Sequence, residues 1–157
     1  MSLGLYLHIP YCFSKCRYCD FYSHPGERGV PDAYVDAVLR ELDRFSPDGP
    51  LHPDTVYFGG GTPSLLTPEQ VRRLIEAAAP VSGAEVTLEA NPETVTEDSL
   101  RGFREAGVNR ISFGVQSARD TQLRTLGRPH TAKQARAAFA AARRAGFANI
   151  SGDIMLA

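Results

Sequence analysis

Three cysteines, Cys12, Cys16 and Cys19, fall within eight residues, and the chain has no other. Three thiolates on one short loop can fill three corners of a metal site and leave the fourth open for a substrate or cofactor. An odd, clustered set cannot form a complete set of internal disulfides and reads as metal-binding or catalytic. The residues alone leave three readings. An iron–sulfur cluster on three thiolates keeps one iron free for another ligand. A zinc ion needs a fourth ligand, for which His8, Asp20 and His24 are near in sequence. Inert buried thiols are the third, and the tight spacing argues against them.

Other chemistry-bearing residues recur at regular points. Gly59-Gly60-Gly61-Thr62 lacks the Lys-Ser/Thr of a phosphate-binding P-loop. It offers either close backbone approach to a ligand or a tight turn. Glu89 and Asp153 are strand-end carboxylates that could bind ribose hydroxyls or be satisfied structurally. Gln116 closes a further apolar run, and Arg128 follows a short helical segment. His8 reads as a strand histidine with a structural hydrogen bond. His52 and His130 lie in loops and show no special pairing.

Five strand-like runs carry these residues: Leu5 to Ile9, Thr55 to Phe58, Glu85 to Glu89, Asn109 to Val115 and Asn149 to Leu156. The glycine run is expected to break the second. Helical patterns alternate with the strands. Pro31 to Phe45 places Tyr34, Val35, Val38, Leu39, Leu42 and Phe45 on one face. Thr67-Pro68-Glu69-Gln70 is a capping box with proline at the first helical position. Thr96 caps a helix that buries Leu100 and Phe103 and stops at Gly107. Ser117 to Asp120 resembles a further capping box, opening a short helix through Leu126. Thr131 and Gln134 start an Ala-rich helix that leaves at Gly146.

Repeated strand–helix–strand units predict an α/β fold, a parallel sheet with helices outside. With no dinucleotide fingerprint, five such strands suit part of a TIM-like barrel. Working residues in that fold collect at the carboxyl ends of the strands, where every strand here delivers glycine or polar side chains. An apolar strand close to Ala157 with no helix after it leads us to expect a longer protein, or a partner, that completes the barrel.

At 157 residues and 43% hydrophobic content the chain suits one domain with an ample core. No run approaches the roughly 18 apolar residues needed to span a bilayer. No basic-then-apolar leader is visible, so a cytoplasmic location is expected. The net charge of −1 hides an asymmetry: residues 1–100 carry 7 Lys+Arg against 15 Asp+Glu, and residues 101–145 carry 10 against 2. Arg101, Arg104, Arg124, Arg136, Arg143 and Arg144 read as solvated helix faces. No aromatic residues interleave with them as a nucleic-acid surface would require.

Taken together, these motifs resemble the radical S-adenosylmethionine superfamily. The Cys-x3-Cys-x2-Cys loop after the first strand is similar to its signature, and Gly-Gly-Gly-Thr-Pro to its glycine motif. Tyr6 to Cys12, Phe58 to Ser64, Gly114 to Ser117, Leu126 to Arg128 and Asp153 to Met155 resemble the oxygen-independent coproporphyrinogen III oxidase-like family over nearly the whole chain. The resemblance implies the amino-terminal part of a radical S-adenosylmethionine barrel, residues 1–157, with the rest of the barrel and a carboxy-terminal domain outside this chain. It implies a [4Fe–4S] cluster on Cys12, Cys16 and Cys19. Its unique iron would chelate S-adenosylmethionine and cleave it to a 5′-deoxyadenosyl radical. Tyr6, Tyr18, Gly60, Gly61, Thr62, Glu89, Gln116, Arg128 and Asp153 match positions that contact this cofactor.

Coproporphyrinogen dehydrogenases of this family carry a further cysteine two residues after the third. Here that residue is Phe21, and Cys19-Asp20-Phe21 resembles the heme chaperone branch. That branch implies heme as cargo, an electron donor and a heme-accepting apoprotein. The alternatives are an oxidase acting on a porphyrinogen and a zinc-stabilised binding module.

Overall fold

A computed structural model describes residues 2–156. Five parallel strands form one sheet in the order β1-β4-β5-β6-β7. They are β1 (Gly4–Ile9), β4 (Thr55–Gly60), β5 (Glu85–Ala90), β6 (Arg110–Gln116) and β7 (Asn149–Ile154). Two short strands, β2 (Tyr11–Cys12) and β3 (His24–Pro25), clasp the cysteine loop in a separate parallel pair. That clasp is not legible in the sequence, because two-residue strands have no periodicity to read.

Helices α1 (Asp32–Phe45), α2 (Pro68–Ala78), α3 (Glu97–Glu105), α4 (Asp120–Leu126) and α5 (Ala132–Arg144) fall between the strands. Strand alternation gives the sheet two chemically different faces. Leu7, Ile9, Val56, Phe58, Val86, Leu88, Ile111 and Phe113 are buried in a core that also holds Leu74, Leu100, Phe103 and Ala142 from the helices. The opposite face is polar: Tyr57 binds Glu89, and Arg110 reaches Thr87 and Ser151. Parallel strands with helices covering one apolar face are the arrangement of the helix-wrapped side of a barrel wall.

Helix starts follow the sequence signals in three cases. Thr67/Gln70, Thr96/Ser99 and Thr131/Gln134 all form reciprocal capping boxes. Ser117 does not. The cap position of α4 is Arg119, with no side-chain cap. Ser117 Oγ instead accepts the Arg119 N–H at 3.1 Å and donates to Gln122. The carboxylate of Asp120 accepts the Ala132 N–H at the start of α5.

Two further expectations change. Phe45 is 78% exposed: it shares the face of Tyr34 and Val38, which pack on the core, but it is the last residue of α1. The glycine run does not break β4 at once, since Gly59 and Gly60 continue the ladder opposite His8 and Ile9. The helical arginines named above are all exposed. Several have local partners, as in Arg101 with Glu97 and Arg143 with the Phe147 carbonyl.

Candidate functional site

The cysteine loop leaves the end of β1 and is tied down at several points. The Glu27 N–H donates to the Cys12 carbonyl and the Gly26 N–H to Phe13. The Arg17 N–H donates to the carbonyl of Leu126 at 3.0 Å, fixing the loop to the last residue of α4. Cys12 is buried, while Cys16 and Cys19 are half-buried, and all three are free thiols. Together they line one cleft at the carboxyl ends of the strands, with Tyr18, Gly60, Gly61, Thr62, Glu89, Gln116, Arg128 and Asp153.

Every residue that the resemblance assigns to the cluster or to the cofactor therefore borders this cleft except Tyr6. Tyr6 is one ring removed: it stacks on Tyr57 at 6.0 Å between centroids, and the Tyr57 hydroxyl donates to Glu89 at 2.7 Å. His8, Asp20 and His24 do not line the cleft. His8 Nε2 lies 3.0 Å from the Tyr22 carbonyl, the structural bond expected of it. Among the described residues no three His, Cys, Asp or Glu side chains converge as ligands of a single ion.

The glycine run is shaped by its own chain. A Cβ on Gly61 would sit 2.7 Å from the Tyr11 carbonyl oxygen and 2.8 Å from that of Ile9. At Gly60, where φ is +111°, it would meet the His8 ring at 2.6 Å. These glycines let β1 and β4 close together beneath the cysteine loop, and the Gly61 and Thr62 N–H groups donate back to Ile9 and Tyr11.

Burial pushes the Glu89 carboxyl above the ordinary glutamate range, against the hydrogen bonds it accepts from Tyr57 and the Gly60 N–H. Burial, followed by the nearby Glu89 charge, raises the Tyr6 phenol. Tyr18 is pushed up to about 12, chiefly by burial, and stays neutral at physiological pH.

Arg128 supplies a buried cation. Its Nη1 donates to Cys16 Sγ at 3.3 Å, and its Nη2 to Asn91 Oδ1 at 3.0 Å and to the Gly114 carbonyl. Its Nε is buried with no partner among the described residues. Gly114 leaves room for the guanidinium, which a Cβ there would displace. Gln116 holds φ of +62° at a register shift between β6 and β7. A left-handed non-glycine residue costs roughly 1–3 kcal/mol and is typical of functional sites, and a bulge re-aims a side chain.

Two features escaped the sequence. Asn91 was visible at a strand end, but no motif marked it as the link between Thr62 and Arg128. His130 is 2% exposed, not a free loop residue. Its Nδ1 faces Glu93 at 3.2 Å, and its Nε2 lies 3.1 Å from the Val115 carbonyl, next to strained Gln116. The pairing joins segments far apart in the chain, so only the fold reveals it.

The family model described as Radical SAM superfamily matches residues 6–157. The heme chaperone HemW of Escherichia coli is 42% identical over 98% of this chain and 42% of its own length. The bovine radical S-adenosyl methionine domain-containing protein 1, mitochondrial, is also 42% identical, over 98% of this chain and 36% of its own. Among solved structures, coproporphyrinogen III oxidase (HemN) from Escherichia coli superposes with a TM-score of 0.86 at 30% identity, covering 98% of this chain and 37% of that one. The chain thus spans about two fifths of the length of the relatives it matches. Among the described residues no helix is long and apolar enough to cross a membrane.

Proposed function

The chain belongs to the Radical SAM superfamily, and on that premise we propose that it is the cofactor-binding part of a heme chaperone. Membership implies S-adenosylmethionine and a [4Fe–4S] cluster. In this reading residues 1–157 form the first part of the barrel. The remaining barrel, the heme contacts and the surfaces for an electron donor and a heme-accepting apoprotein belong to the rest of a longer protein.

The cleft suits both cofactors. Cys12, Cys16 and Cys19 border one space. A cube that takes one thiolate per iron would use all three and keep its fourth iron open to a further ligand. The spare Nε–H of buried Arg128 favours an anionic group such as the methionine carboxylate of S-adenosylmethionine. Glu89, held in place by Tyr57 and Gly60, offers acceptors for hydroxyl or ammonium donors, with Gln116 and Asp153 on the same rim. Gly60, Gly61 and Thr62 present backbone beside the cysteines, Tyr18 bounds the cleft, and Tyr6 supports it through Tyr57. When bound, the cluster and S-adenosylmethionine supply one-electron radical chemistry, and the protein supplies orientation and electrostatics.

Phe21 carries the choice of chaperone over oxidase. It lines the cleft and is 66% exposed, at the position where the resemblance puts a fourth cysteine in coproporphyrinogen dehydrogenases. The identities run the same way, 42% to the chaperone and 30% to the oxidase. The test uses full-length, anaerobically loaded protein. It is offered heme with a heme-free acceptor and, separately, coproporphyrinogen III with S-adenosylmethionine and a reductant. Heme transfer with no change in the porphyrinogen is expected. Release of two carboxylates as carbon dioxide would overturn the chaperone reading in favour of the oxidase.

A further inference from the structure

We propose that Asn91 is a positioning residue that sets the reduction potential of the cluster by aiming the Thr62 hydroxyl at the sulfur of Cys12. The proposal rests on the reading of Cys12, Cys16 and Cys19 as cluster ligands. Its basis is one continuous hydrogen-bond path. Thr62 Oγ1 donates to Cys12 Sγ at 3.5 Å, Asn91 Nδ2 donates to Thr62 Oγ1 at 3.1 Å, and Arg128 Nη2 donates to Asn91 Oδ1 at 3.0 Å. Arg128 Nη1 closes the path on Cys16 Sγ at 3.3 Å.

Chemistry fixes the direction of each bond. A guanidinium only donates, so the Asn91 oxygen must face Arg128 and its amide nitrogen must face Thr62. With its oxygen occupied by that N–H, the Thr62 hydroxyl directs its own hydrogen to the sulfur. Thr62 is 2% exposed, so water does not compete for that hydrogen. Asn91 is itself held. The following Pro92 restricts it to extended backbone, seen as φ −97° and ψ 142°. Its N–H reaches Ser64 Oγ, and its carbonyl accepts from Thr94.

Hydrogen bonds to the sulfurs help set an iron–sulfur potential, and residues behind the first ligands tune a metal centre. Arg128 keeps its bond to the Gly114 carbonyl without Asn91. The Thr62 hydroxyl has no such second anchor, so it is the arm that Asn91 controls.

The test is the midpoint potential of the reconstituted cluster in full-length protein, measured by redox titration followed by electron paramagnetic resonance. Asn91→Leu and Thr62→Val should each move the potential to more negative values. The double variant should match the single ones, because both break the same path. Thr62→Ser, which keeps the hydroxyl, should stay near the parent. Should Asn91→Leu fail to assemble a cluster, the smaller Asn91→Ala takes its place beside near-isosteric Thr62→Val: an unshifted potential in either overturns the proposal. Additive shifts in the double variant also overturn it. A parent protein that forms no cluster overturns both the proposal and the cofactor reading, whereas a normal cluster with unshifted variants removes only the role of Asn91.

Discussion

The guanidinium of Arg128 lies 3.3 Å from the sulfur of Cys16 across 112 residues of chain. That contact ties the loop after β1 to the segment after α4, and so joins the first and fourth strand ends of one sheet. It also places a fixed positive charge beside the Cys16 sulfur in a largely buried setting.

Arg128→Lys keeps the charge and loses the planar fork that serves Cys16, Asn91 and Gly114 together. Leaving those acceptors unpaired should cost about 1–3 kcal/mol of stability, read from urea unfolding. In the loaded protein, binding of S-adenosylmethionine should weaken by about tenfold or more, as expected for a charge-assisted bond. Calorimetry showing unchanged affinity would remove Arg128 from the cofactor contacts.

Gly61→Ala should destabilise the fold by about 1–3 kcal/mol. Its Cβ would face the backbone carbonyls of Ile9 and Tyr11 at 2.8 and 2.7 Å, which cannot rotate away as a side chain could. Gly83→Ala is a useful control: its Cβ would meet nothing within 4 Å, although its φ of +82° carries conformational strain of its own. Gly61 itself has no left-handed φ, so a loss at Gly61 smaller than the one strain causes at Gly83 would mean that the β1–β4 approach tolerates the added methyl.

Glu89 should give the fold a pH dependence of defined sign. Burial raises its carboxyl above the ordinary glutamate value, so the folded state keeps this proton to higher pH than the unfolded state. Stability therefore falls as pH rises from the ordinary value through the raised one. Glu89→Gln removes the titration, and its unfolding free energy should be flatter over that interval than the parent's. Parallel profiles from denaturant titrations at a series of pH values would contradict this.

Thr67→Ala should lose about 1 kcal/mol, because Thr67 accepts the Gln70 N–H in a reciprocal capping box. The contrast between this threonine and Ser117 shows how far the sequence could be read. At Thr67 the cap, the proline and the glutamine act within one turn, so local chemistry determines the structure. At Ser117 the same pattern is overridden, because Asp120 is drawn to the start of α5 and Ser117 turns to Arg119 and Gln122.

The same division runs through the site. The cysteines, the glycines and the strand-end residues Glu89 and Gln116 declare themselves through residue type, spacing and position after an apolar run. Which groups they touch is set by long-range packing. The Asn91 bridge, the His130–Glu93 pair and the close approach of Arg128 to Gly114 all arise between segments apart in the chain. Phe45 teaches the same lesson for the core: helical spacing shows which face is apolar, and not how far along the helix that face stays covered.

Mössbauer spectroscopy on full-length protein loaded anaerobically with iron-57 and sulfide tests the central claim most directly. The expected result is a four-iron cube held by Cys12, Cys16 and Cys19, in which one iron changes its signal when S-adenosylmethionine is added. A spectrum with no cube, or a cube whose four irons ignore the added sulfonium, would contradict it.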